Sequence, residues 1–477
     1  MNGEGHKVMG YQRDIKQKDL NNFSDKHLYR GLENRHIQLI AIGGAIGTGL
    51  FMGSGRTISV AGPSIVFVYA IIGFMLFFVM RAMGELLLAN TQYKSFIDFS
   101  ADLLGPWAGF FIGWTYWLCW IVTGVADVIA IAGYAHFWWP DLNAWIPVLL
   151  CVAAFFVLNI VAVKLFGEME FWFALIKIIA IVALILVGFY MIITGFTSPN
   201  GTVTSLGNVW NGGDLFPKGL MGFFAGFQIA VFAFVGIELA GTAAAEVKHP
   251  EQTLPKAINS IPIRIIFFYI LSLIVIMSVT PWYDVDPEKS PFVDMFVLIG
   301  VPIAASLVNF VVLTSAASSA NSGVFSTSRM VYGLAEKKGA PKILGILSKK
   351  HVPANGLLFS CLCILIGYSV LSFIPTVMGA FVVITTISAI LFMFVWTIIL
   401  ISYIAYRQKR PELHDRSVYK MPGGVPMCFV VMAFFVFILV LLSLQEETRM
   451  ALTFTPLWFV FLAGCFFLFV RKKYYLK

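Results

Sequence analysis

The chain has 477 residues, of which 59% are hydrophobic and only 12% charged. A soluble protein of this length needs roughly twice that charged fraction to cover its surface, so most of this surface must face lipid. The formal net charge of +8 does not mark a nucleic-acid binder, because the basic residues form no patch with interleaved aromatics and sit in short segments between apolar runs.

The first 36 residues are polar and basic, show no cleavable signal, and read as an inner, cytoplasmic tail. A membrane-spanning helix needs about 20 mostly apolar residues. Twelve such runs follow, near 37–60, 63–89, 105–139, 145–163, 169–195, 217–246, 260–281, 302–335, 354–374, 377–406, 425–444 and 454–471. An even number puts both termini on one side. With the N-terminus inside, 29 of the 33 Lys and Arg residues fall in inner segments, and only Arg56, Lys218, Lys289 and Arg449 fall in outer ones. That bias is the positive-inside signature. The expected organisation is a tail (1–36), a ten-helix core (37–406, in halves 37–195 and 217–406), an inner loop (407–424), two peripheral helices (425–471) and an inner C-terminus (472–477). The six cysteines all lie within apolar runs. Cys361 and Cys363 point to different faces of a helix, so the cysteines read as small apolar filler rather than as disulfides or metal ligands.

Two runs break the rules of a spanning helix. The first contains Gly43-Gly44-Ala45-Ile46-Gly47-Thr48-Gly49. Each glycine weakens a helix by roughly 1 kcal/mol. Close packing against a neighbour accounts for Gly43 and Gly47, four apart, but not for all four glycines and the threonine. The sixth contains Phe232-Ala233-Phe234-Val235-Gly236-Ile237-Glu238-Leu239-Ala240-Gly241, with a carboxylate in mid-run. The five-run spacing is that of two inverted repeats, each opening with a broken helix. The predicted fold is therefore all-α, with 12 transmembrane helices in a 5+5 inverted repeat plus two peripheral helices, and with helices 1 and 6 broken. A break exposes N–H groups that suit a carboxylate and C=O groups that suit an ammonium, so two facing breaks suit a zwitterion. Gly47 is expected to need a conformation or a closeness that forbids a side chain.

Buried polar groups are the second anomaly. Lys177 lies about two turns into the fifth run; it either carries a coupling proton or snorkels to the interface. Glu238 either accepts from backbone N–H groups or carries a proton. Asp127, in the third run, either lines the cavity or meets the outer water layer. Ser318-Ser319-Ala320-Asn321-Ser322 makes the eighth run polar, for a site or for bonding to a neighbouring helix. Phe232 and Phe234 are expected to crowd the rim of the site. No acidic residue falls where a lysine-type head group would end, which favours small neutral amino acids. The seven histidines are scattered, so no metal cluster or nucleophile–base set argues for an enzyme. Two breaks favour a gated midplane site over the continuous polar lining of a channel.

Specific motifs then carry a resemblance. They are His36-Ile37-Gln38-Leu39-Ile40-Ala41-Ile42-Gly43-Gly44-Ala45-Ile46-Gly47-Thr48-Gly49-Leu50-Phe51, Arg81-Ala82-Met83-Gly84-Glu85-Leu86, Gly167-Glu168-Met169-Glu170-Phe171-Trp172-Phe173 and Glu246-Val247-Lys248-His249-Pro250-Glu251. On these the chain resembles the bacterial amino acid transporter family of the amino acid–polyamine–organocation superfamily, over nearly its whole length. The resemblance implies the leucine-transporter fold and proton symport across the bacterial cytoplasmic (inner) membrane, driven by the proton gradient and without a cofactor. It implies that Thr48 and Gly49, at the Gly47 break, offer N–H groups to the substrate carboxylate, and that carbonyls near Ile42, Phe232 and Val235 hold the ammonium. Lys177 then occupies the place of a sodium ion in sodium-coupled relatives, with Ser318 and Ser319 as a vestige of that ion site. Where this chain has Asp127, other members commonly have Glu. The implied partners are a small amino acid, protons and the lipid bilayer, with no nucleic acid; the oligomeric state stays open. The implied substrates narrow to glycine, D-alanine and D-serine, with L-alanine and D-cycloserine as further passengers. Another neutral substrate, or exchange in place of symport, is the alternative.

Overall fold

Lipid offers a peptide group no hydrogen-bond partner, so a run that crosses it must pair its own N–H and C=O groups, and a helix does this locally. The computed structural model describes residues 46–471 apart from 91, 94, 162, 211–213, 243–249, 301, 372, 373 and 375. Among the described residues regular structure is helical, and the only β pairing is an isolated antiparallel bridge between Thr197 and Val203. Eight stretches are long and apolar enough to cross a membrane: Gly53–Ala89, Pro106–Ala135, Glu168–Thr194, Glu251–Val279, Ile303–Glu336, Val377–Lys409, Gly424–Leu444 and Thr448–Val470. Three shorter apolar helices, Trp145–Val161, Gly219–Phe234 and Ala354–Val370, lie between them.

The Pro106–Ala135 helix is the centre of the packing. It meets the Pro302–Glu336 helix most extensively and the Val377–Lys409 helix next. Of its most apolar stretch 89% is buried, against 22% for Thr448–Val470, which turns Phe454, Leu457, Val460 and Phe461 outward. The last helix thus gives its apolar surface to lipid rather than to protein.

Helix edges differ from the sequence expectation in two ways that matter for the site. The fifth helix starts at Val163 rather than near 169, so Lys177 lies fourteen residues into it. Connectors read as loops contain helices of their own: Phe96–Leu104, Pro250–Asn259 and Pro291–Leu298. The first of these starts at a reciprocal cap, Ser95 with Asp98, and buries Phe96, Ile97, Phe99 and Leu103. At Gly62 (φ 61°) the chain turns from Gly53–Ala61 into Ile65–Ala89, and a Cβ there would meet Pro217 at 2.7 Å.

A buried carboxylate fastens one end of the bundle. Glu85 is fully buried; it accepts from the Tyr403 hydroxyl at 3.1 Å and the Met421 N–H at 2.7 Å, and pairs with His414 Nδ1 at 2.6 Å. One turn away Arg81 lies over the Tyr419 ring, 3.8 Å from its centroid, and donates to Asn259 Oδ1 at 2.8 Å. Both charges of the Arg81–Glu85 motif therefore tie the segment after the Val377–Lys409 helix to the Ile65–Ala89 helix.

Candidate functional site

The first break is an extended backbone that turns abruptly into a helix. Gly47 is extended (φ −136°, ψ −160°) and caps the short Thr48–Phe51 helix. Gly47 O accepts from Leu50 N–H and Phe51 N–H, both at 3.2 Å. The N–H groups of Thr48 and Gly49 stand ahead of that ladder, as the first donors of any helix do. Ile46 O accepts from the Ser315 hydroxyl at 3.3 Å. Ile42, Gly43 and Gly44, the other expected members of this break, lie outside the described residues.

The second break is a change of helix type followed by a turn. The Gly219–Ala230 helix tightens into a 3-10 turn, Val231–Phe234, and Val235 leaves helical geometry altogether (φ −60°, ψ 137°). Gly236 follows at φ 97°, a conformation that side-chain-bearing residues rarely adopt. Helix resumes at Leu239. Phe232 O accepts from Val235 N–H at 3.1 Å, and Ala233 O accepts from the Tyr269 hydroxyl at 2.9 Å.

The two breaks touch. A Cβ added at Gly49 would lie 2.6 Å from Ala233 Cα, 2.8 Å from Ala233 N and 3.0 Å from Phe232 Cδ1. Gly49 is thus the glycine that closeness demands. Gly47 is not, contrary to the sequence expectation: its backbone suits any residue, and a Cβ there would make ordinary contact with Ser319 Oγ at 3.5 Å.

Buried charged groups surround this contact. Asp127 is fully buried; its Oδ1 accepts from the Thr48 hydroxyl at 2.8 Å, Ser319 also bonds to it, and Oδ2 has no protein partner. It therefore belongs to the first break and not to an outer water layer. Lys177 is 1% exposed, which removes the snorkelling reading, and it interacts electrostatically with both Glu170 and Asp127. Glu238 is fully buried on the far side of the second break. Its Oε1 accepts from the Tyr116 hydroxyl at 3.3 Å; its Oε2 and the nearby Trp396 indole N–H miss hydrogen-bond geometry.

Ser318 and Ser319 face different partners. Ser319 turns to Asp127 and Gly47, whereas Ser318 donates to Glu170 Oε2 at 2.7 Å. Glu170 had no assigned role in the sequence reading, nor did Tyr116. The signal for Glu170 lay in its spacing, seven residues before Lys177, which puts the two on one helix face. The expected aromatic rim divides as well. Phe232 faces Phe381 (centroids 6.0 Å apart) and Gly49, but Phe234 stacks on Tyr269 (5.1 Å, 12°) beside Tyr69 and so packs into the helix framework.

Two interrupted helices in mutual contact, ringed by buried charges, are the mark of a membrane carrier whose site opens by moving helices. The chain belongs to the amino acid permease family, which it matches over residues 36–475. It is 68% identical over 450 residues to the D-serine/D-alanine/glycine transporter of Escherichia coli strain CFT073, covering 94% of this chain and 96% of that one. It is 50% identical over 450 residues to the amino-acid permease AapA of Bacillus subtilis strain 168 (94% and 97% covered). To the DL-alanine permease SerP2 of Lactococcus lactis subsp. cremoris strain MG1363 it is 43% identical over 447 residues (93% and 96%). The protein is a multi-pass amino acid permease, a transporter and not an enzyme.

Proposed function

We propose that this permease imports glycine, D-alanine and D-serine across the bacterial inner membrane by proton symport, with L-alanine and D-cycloserine as weaker passengers. The observation that carries the reading is the contact of the two breaks, Gly49 against the Ala233 backbone, with the Asp127 carboxylate on Thr48. In this reading the Thr48 and Gly49 N–H groups take the substrate carboxylate. The carbonyls of Ile42, Phe232 and Val235 take the ammonium, and Phe232 O keeps a lone pair for it beside the Val235 bond. Asp127 orients the Thr48 end. Lys177 carries or gates the proton, and Glu238 is the second candidate carrier.

The architecture that goes with this function is a leucine-transporter-like fold. Its core spans 37–406 in inverted halves, two peripheral helices follow, and both termini are cytoplasmic. The positive-inside charge bias supports that orientation. The names of the similar permeases support small neutral substrates, as does Phe232 at the contact. One methylene is worth only about 1–3 kcal/mol of discrimination, so close analogues should compete.

Purified protein in proteoliposomes, given an imposed pH gradient and a panel of labelled amino acids, tests both halves of the proposal. Accumulation of glycine and D-alanine that collapses with a proton uncoupler and survives removal of sodium is the expected result. Uptake that depends on sodium, or that needs a counter-substrate inside and ignores the gradient, would replace symport. Strong inhibition by lysine or phenylalanine, with none by D-alanine, would sink the substrate assignment.

A further inference from the structure

Glu170 joins three helices. It is 4% exposed, and its two oxygens take Ser318 Oγ at 2.7 Å and Asn321 Nδ2 at 3.0 Å, with Ser322 as a further donor. Asn321 Oδ1 in turn accepts from Asn159 Nδ2 at 2.7 Å. The Trp145–Val161, Val163–Thr194 and Pro302–Glu336 helices thus meet on one carboxylate. Along its own helix Glu170 precedes Lys177 by seven residues, a rise of about 10.5 Å and nearly two whole turns. Helical side chains lean toward the N-terminus, so Lys177 leans toward Glu170.

The Pro302–Glu336 helix carries two polar stripes that divide this region. Ser315 and Ser319, four apart, serve Ile46 and Asp127 at the first break. Ser318 and Ser322, also four apart, serve Glu170 together with Asn321. Lys177 interacts with both poles, Asp127 and Glu170, and Tyr134 adds a neutral phenol facing Asp127. Two buried carboxylates and one buried lysine make a set with one negative charge too many. An unbalanced charge in a dry site is costly, and one added proton removes it.

We propose that Glu170 is the positioning counter-ion of Lys177, and that Asp127, Lys177 and Glu170 share the transported proton as one unit. Glu170 holds the lysine toward its own side while the proton resides at Asp127. When Asp127 loses the proton, Lys177 neutralises it, and the Ser315/Ser319 stripe passes the change to the first break. The inference rests on the proton-coupling reading of Lys177.

The test compares Glu170→Gln, Glu170→Asp and Lys177→Ala in proteoliposomes, with labelled glycine. Three quantities are read: accumulation under a pH gradient, counterflow against unlabelled glycine, and initial uptake rate against pH. Counterflow needs binding and alternation but no net proton movement. Glu170→Gln should retain measurable counterflow, accumulate at least about tenfold less than wild type, and flatten the pH profile; Glu170→Asp should restore part of the accumulation with a shifted profile. Wild-type accumulation and pH profile in Glu170→Gln would overturn the inference. So would equal loss of counterflow and accumulation in both Glu170 variants, the signature of a structural clamp only. Should Glu170→Gln fail to reach the membrane, the Glu170→Asp profile decides alone, and an unshifted profile overturns the inference. Full accumulation by Lys177→Ala would instead remove the parent reading, whereas loss in Lys177→Ala with full accumulation in Glu170→Gln removes only the role of Glu170.

Discussion

Gly49→Ala is the sharpest probe of the contact between the two breaks. The added methyl would sit 2.6 Å from Ala233 Cα and 2.8 Å from Ala233 N, and both are backbone atoms that no rotamer change can move aside. The Thr48–Phe51 helix must then draw away from the Val231–Phe234 turn by several tenths of an ångström or more. Overpacking of this kind costs about 1–3 kcal/mol. If the site is formed by the two breaks together, that cost falls on substrate binding, a loss of roughly 5- to 150-fold in affinity. Gly47→Ala is the internal control, because its methyl would meet Ser319 Oγ at an ordinary 3.5 Å on an extended backbone. The assay is the KM for labelled glycine in proteoliposomes, together with thermal stabilisation of the purified protein by glycine. Gly49→Ala should raise KM and lose ligand stabilisation, while Gly47→Ala stays within about threefold of wild type, a difference of less than 1 kcal/mol. A Gly49→Ala protein with unchanged KM, or a Gly47→Ala protein that is the worse of the two, would refute the assignment of the site to the Gly49–Ala233 contact.

Asp127→Ala leaves the buried Thr48 hydroxyl without its acceptor, a loss of about 1–3 kcal/mol; KM for glycine should rise about tenfold or more, and Asp127→Asn, which keeps an acceptor, should bind better than Asp127→Ala. Equal KM values for wild type and Asp127→Ala would show that Asp127 does not support the first break. Glu85→Ala strands the Met421 N–H, the Tyr403 hydroxyl and His414 together. It should destabilise the protein by roughly 3 kcal/mol or more, with Glu85→Gln intermediate; thermal unfolding of the purified variants is the readout, and an unchanged midpoint for Glu85→Ala would contradict this. In the connector after the Glu251–Val279 stretch, burial pushes the Asp294 carboxyl up to about 6, from an ordinary 3.8. A raised acid contributes stability that is present below about pH 4 and is lost as pH rises through 6. Asp294→Asn should therefore unfold at a higher temperature than wild type at pH 8, with the gap closing toward pH 4, and a gap that widens on acidification would contradict this.

The two breaks were legible because they violate a local rule: glycines and a carboxylate stand where lipid demands an unbroken apolar helix. Burial of Asp127, Lys177 and Glu238 followed from the same rule, since lipid rejects charges that protein does not enclose. What stayed hidden was which groups they meet. Gly47 and Gly49 are indistinguishable in the sequence, and only the approach of Ala233 from the sixth helical stretch selects Gly49. Phe232 and Phe234 are two apart on a tight turn and face opposite ways, one to Gly49 and the other to Tyr269. The helix edge had the largest consequence. The polar Gly167-Glu168 pair reads as a loop, which starts the fifth helix too late and leaves Glu170 at its mouth. With the helix starting at Val163, the same residue lies inside it, two turns from Lys177 and bonded to Ser318, 148 positions along the chain. A polar residue inside a membrane-spanning helix is permitted by the partner it finds on another helix, and single-chain periodicity carries no record of that partner. Buried charges are therefore visible in the sequence one at a time, while the unit that balances them becomes visible only once the helices are packed.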